Sequence, residues 1–132
     1  MSGQALAIAA RSFVGTPFRL HGRDPAIGLD CVGLLDAALR AIGATPKLPS
    51  RYALRTLRID GLDEMARSSG FAPCQGPAAA GDVVIVRPWC CQHHLMIADP
   101  AVAFVHAHAG LRRIVVGPVP VEWPIAARFR LT

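Results

Sequence analysis

The chain has 132 residues, 52% of them hydrophobic and 17% charged, a balance that suits one globular domain spanning 1–132 and excludes a disordered segment. No apolar run approaches the roughly 20 residues of a membrane-spanning helix, and the start, MSGQALAIAARSF, lacks the basic lead and small-residue cleavage site of a secretory signal; a cytoplasmic product is expected, unless lysis or a particle carries it to the cell wall. The net charge is +5, but all except one of its 14 basic residues are arginines scattered without an aromatic platform, which sets nucleic acid aside as a partner.

In chain order, SGQALAIAARSFVG predicts a short helix capped by Ser2 and stopped by Gly15. A loop rich in Gly and Pro follows, TPFRLHGRDPAIGL. Its Arg23 and Asp24 suggest a local ion pair or turn. A second helix is predicted from Asp30 to Ile42, with Val32, Leu34, Leu35, Ala38, Leu39 and Ile42 on one buried stripe and Gly43 as its stop. Residues 44–60 read as irregular, and GLDEMARSSG offers a weak helix ended by Gly70. Thereafter VVIVR (83–87), HLMIAD (94–99), AFVHAH (103–108), RRIVVGPV (112–119) and ARFRL (127–131) predict strands. Helices first and strands second imply an α+β fold, with a small antiparallel sheet of about five strands packed on the helices. Asp82 is expected to cap the turn into the first of these strands. Trp89 and Trp123, each next to a proline, are expected to pack in the core or at its edge, with lining a groove as the alternative.

The four cysteines, Cys31, Cys74, Cys90 and Cys91, do not have the spacing of a disulfide framework and are read as thiols. Cys31 stands apart because it sits where a loop becomes a helix. Unpaired backbone N–H groups and the helix dipole make that end positive, which favours a thiolate and can hold an oxyanion. A base is available in HHLMIADPAVAFVHAH. A hairpin with Asp99, Pro100 and Ala101 in its loop sets His94 directly across from His106, about 5 Å apart at Cβ. Both then share a face with Met96, Phe104 and His108, while Leu95, Ile97, Val105 and Ala107 share the other. A nucleophile, a base and a polar group that orients the base are the parts of thiol catalysis.

The blocks GTPF, GLDCVGLLDAAL, GDVVIV, HHLMIAD and FVHAH resemble, in order, those of the NlpC-type papain-like cell-wall peptidases. In that family the pattern runs Gly-Thr-Pro-Tyr, Asp-Cys-Ser-Gly-Leu, Gly-Asp with an apolar strand, His-Val-Gly-Ile and Ile-His-Ala. The resemblance covers most of the chain. It implies a papain-like fold, Cys31 as nucleophile, His94 as base and His106 as its orienting partner. It also implies substrate contacts from Phe18 and Asp30, no cofactor or metal, and peptidoglycan stem peptides as substrate, often cut between D-glutamate and a diamino acid. The VEWPIAARFRL segment in a short chain is most similar to the branch carried by phage tails and gene-transfer particles, whose proteins are then expected partners.

Three positions depart from the family pattern: Phe18 replaces its tyrosine, Val32 its serine after the cysteine, and Leu20-His21-Gly22 its Trp-Gly-Gly. Since Val32 has no hydroxyl, recognition of a free amino terminus is left open. Other readings stay open beside the peptidase. Cys90, Cys91, His93, His94, His106 and His108 are a dense donor set that zinc would favour. A thiol could also transfer an acyl group to an amine or lipid, as an acyltransferase or amidase. A non-catalytic module binding the cell wall is the remaining alternative.

Overall fold

The computed structural model describes residues 2–48, 59–89, 92–99, 103–118, 120 and 122–132. Helix α1 (Gly3–Ser12) begins where expected, with the Ser2 hydroxyl accepting the Ala5 N–H at 3.1 Å, and buries Leu6, Ala7 and Ala10. Strands β1 (Arg23–Asp24) and β2 (Gly28–Leu29) form a two-stranded ladder inside the segment expected to be a loop. Such short pairs leave no periodic signature in sequence.

Helix α2 (Cys31–Ala41) is the centre of the fold, and it is buried from Cys31 through Leu39 rather than along one stripe. Small residues explain the difference. A Cβ at Gly33 would stand 1.9 Å from the Gly22 carbonyl oxygen, so the loop backbone closes directly onto the helix. Asp36, on what the stripe would leave as the polar side, is covered by Arg23 at 3.4 Å and bonded by Arg40 at 3.0 Å. The ion pair expected within Arg23-Asp24 is therefore made with Asp36 instead, and Asp24 accepts the Ala26 N–H to close a turn. Helix α3 (Ile59–Ser68) follows, ending just before Gly70, whose φ is +93°.

The sheet contains β3 (Phe71–Pro73), β4 (Val83–Trp89), β5 (Gln92–Asp99), β6 (Ala103–His108), β7 (Arg113–Gly117) and β8 (Ile125–Leu131). Its order is β3-β8-β4-β5-β6-β7, every neighbouring pair antiparallel. The fold class is α+β, as the element order implies; β3, three residues long, is the sheet strand that went unpredicted. Alternation along the strands divides the faces. Val83, Ile85, Leu95, Ile97, Val105 and Ala107 join α1 and α2 in one core, while Val84, Val86 and Met96 pack with Phe104 and Trp123 on the other face. Asp82 caps the turn through the Ala79 N–H at 2.8 Å and is also held by two bonds from Arg130, both 2.9 Å. No helix among the described residues is long and apolar enough to cross a membrane.

The β5–β6 register differs from the expected one by two residues. Asp99 pairs with Ala103, Ala98 with Phe104 and Ile97 with Val105. Asp99 is the last residue of β5, and Arg11 of α1 holds its carboxylate at 2.9 Å; Pro100 and Ala101, expected in the loop with it, lie outside the described residues. An even offset keeps every side chain on its expected face, because strand side chains alternate with period two. It does remove the direct opposition of His94 and His106. Beyond Ile97 and Val105 the two strands part, each remaining paired to its outer neighbour.

Candidate active site

The start of α2 is fixed by Asp30. Its backbone is extended, and its Oδ1 accepts the Gly33 N–H at 2.8 Å. Its Oδ2 accepts the His21 N–H, also at 2.8 Å, which ties down a loop residue held at φ +61°. The residue is 0% exposed. Asp30 therefore holds the helix start to the loop; the substrate contact expected of it does not fit its burial. Cys31 is the first residue of the helix and is itself only 2% exposed.

His94 on β5 and His106 on β6 meet although the strands have parted. His94 Nε2 lies 3.1 Å from His106 Nδ1, with the rings edge to face at 84° and their centroids 5.2 Å apart. The contact is diagonal across the sheet, within reach of aromatic side chains. Trp123 closes over His94 from another side, ring centroids 6.3 Å apart at 88°. Cys31, His94, His106 and Phe18 all line one cleft of about 350 Å³, together with Trp123, the end of β6 and the turn at Ala109 and Gly110. Trp123 is thus part of this cleft as well as of the sheet's second apolar face. The alternative sequence reading, a place along a groove, is met for Trp123, although only the tertiary fold carries residue 123 over residue 94. Nothing in the sequence marks Ala109 and Gly110 for the cleft.

The electrostatics of the cleft differ from those expected of a helix start. Burial, and then the charge of Asp30, push the Cys31 thiol up to about 12, against the pull of backbone N–H groups of Leu95, Val32 and Cys31 itself. The resting sulfur is a thiol, because removal from water outweighs the favourable helix end. Burial, followed by the neighbouring His106 and His108, lowers His94 to about 4. Burial and His108 lower His106 to about 4 as well. Both rings are neutral at pH 7. When His94 Nε2 is the donor in this pair, Nδ1 carries the lone pair that accepts a proton; the opposite tautomer places the proton on Nδ1.

Among the described residues, no group of three His, Cys, Asp or Glu side chains is arranged to hold a metal ion. Cys90 and Cys91, which belong to the zinc alternative, lie outside the described residues, as does the side chain of Trp89. Cys74 is half-buried, its sulfur 3.9 Å from Asp82 Oδ2 and away from the cleft.

No protein-family model and no curated protein matches the sequence. Solved structures do. NlpC1 from Trichomonas vaginalis superposes with a TM-score of 0.72 at 15% identity, over 98% of this chain and 43% of that one. The NlpC/p60 domain of the peptidoglycan hydrolase SagA gives 0.66 at 22% identity, over 100% and 99%. The peptidoglycan hydrolase RipB from Mycobacterium tuberculosis gives 0.63 at 18% identity, over 97% and 63%. The chain thus has the NlpC/P60 fold, and it spans less than half the length of the Trichomonas protein.

Proposed function

We propose that the chain is an NlpC-type cysteine peptidase that hydrolyses peptide stems of bacterial peptidoglycan, with residues 1–132 acting as one catalytic domain. The observation that carries this reading is the shared cleft: a helix-start cysteine lines it together with a hydrogen-bonded pair of neutral histidines. Its likeness in fold to peptidoglycan hydrolases supports the substrate class.

In this reading Cys31 is the nucleophile, His94 the general base and His106 the residue that orients it. His94 donates from Nε2 to His106 Nδ1, which fixes the tautomer whose Nδ1 carries the accepting lone pair. A thiol pushed up to about 12 and an imidazole lowered to about 4, lining one cleft, do not stand as an ion pair before the peptide binds. The proton therefore moves from sulfur to His94 Nδ1 as the sulfur attacks the peptide carbonyl. The negative charge passes to the carbonyl oxygen, where first-turn N–H groups of α2 receive it. His94 then returns the proton to the leaving amine, giving a thioester on Cys31. Water, deprotonated by His94, hydrolyses that thioester and restores the thiol.

Phe18 lines the cleft and forms part of the wall against which the peptide packs. The resemblance of residues 121–131 to particle-borne relatives supports delivery by a phage-tail or gene-transfer particle. The test is digestion of purified peptidoglycan followed by mass spectrometry. The wild type releases stem fragments and Cys31→Ala releases none; fragments from both proteins would overturn the assignment.

A further inference from the structure

The cleft contains donor groups that this reaction does not use. Strand β6 ends at His108, whose ring lines the cleft beyond His106, the two centroids 6.0 Å apart. Its Nδ1 accepts the Leu111 N–H at 3.0 Å. The neutral ring must then carry its proton on Nε2, which leaves one N–H donor for a ligand. Across the β6–β7 ladder His108 pairs with Arg113, as His106 pairs with Val115. Directly paired residues share a face of the sheet, so Arg113 stands on the histidine side.

Arg113 is exposed, and among the described residues no acidic side chain pairs with it or with His108. Four of the nine acidic residues, Asp30, Asp36, Asp82 and Asp99, are buried elsewhere in the fold. A guanidinium beside a neutral N–H donor suits the planar geometry of a carboxylate.

We propose that His108 and Arg113 form a subsite that binds a carboxylate of the peptide in the cleft. The identity of the ligand as a stem peptide rests on the peptidase reading; the subsite itself rests on the ladder and the His108 hydrogen bond. The carboxylate is either the one beside the scissile bond or the peptide's own carboxyl terminus.

Three synthetic stem peptides separate these sources: one with both carboxylates free, one amidated beside the scissile bond, and one amidated at the terminus. Isothermal titration against the Cys31→Ala protein measures binding without turnover. The fully free peptide binds about tenfold more tightly than one of the two amides, the range of a charge-assisted hydrogen bond, and that amide names the carboxylate. Arg113→Gln and His108→Ala, each added to Cys31→Ala, weaken the free peptide about tenfold and leave that amide unchanged; Arg113→Lys retains part of the preference. Equal affinity for all three peptides, equal losses for acid and amide in the variants, or no binding of the free peptide would each overturn the subsite. Hydrolysis of the same peptides by the wild type keeps the two readings apart. Cleavage without acid preference removes the subsite alone, whereas acid preference without cleavage removes the peptidase and leaves the subsite.

Discussion

Acidifying the protein from pH 7.5 to pH 5 destabilises it through its buried imidazoles. His94 titrates at 6.5 when free of its surroundings and at about 4 in the fold. The unfolded chain therefore takes up a proton first as the pH falls. Stability from this ring is complete above 6.5, is lost progressively between 6.5 and 4, and is constant below that. Linkage gives a loss of about 2 kcal/mol at pH 5 and about 3 kcal/mol at pH 4 from His94 alone. His106, shifted the same way, adds to it. Urea denaturation followed by tryptophan fluorescence measures the effect. With a slope of roughly 1–3 kcal/mol/M, 2 kcal/mol moves the midpoint down by about 1 M. The His94→Gln/His106→Gln double variant carries every other titration of the protein and shows the smaller shift that remains. A midpoint that stays constant from pH 7.5 to pH 5, or falls equally in wild type and double variant, would refute the burial argument.

Further outcomes follow from the same geometry. Removing the ring that covers His94, by Trp123→Ala, lets water in and raises the His94 titration toward 6.5; imidazole resonances followed by NMR against pH report it, and the acid limb of the hydrolysis profile moves up with them. Asp30→Asn removes the charge that opposes the Cys31 thiolate, so alkylation of Cys31 by iodoacetamide at pH 9 speeds up, while burial keeps its titration above that of a free cysteine. Gly33→Ala forces a methyl group against the Gly22 carbonyl; a loss of about 1–3 kcal/mol in urea denaturation is expected from such overpacking, with hydrolysis reduced because the helix start shifts. Asp30→Ala, which deletes the cap as well as the charge, costs about 1–2 kcal/mol in the same measurement.

Much of this protein is written locally. Ser2 caps α1 and Asp30 caps α2 because a short polar side chain before an apolar helical run has one good use for its oxygen, the N–H three residues on. The faces of β5 and β6 follow from alternation alone, and they remain right although the register is two residues from the expected one. Cys31, His94 and His106 were singled out by the same local reasoning, and the fold brings them to one cleft.

What only the tertiary structure decided depends on contacts between residues far apart in the chain. Arg11 pairs with Asp99, the last residue of β5, across 88 positions of sequence. Arg23 pairs with Asp36 rather than its sequence neighbour. Gly22 and Gly33 allow a backbone contact that buries α2 on every side. Above all, the charge state of Cys31 and His94 follows from how much water the assembled cleft excludes. That exclusion depends on Trp123 and the parted strands arriving in place together, which no local pattern encodes.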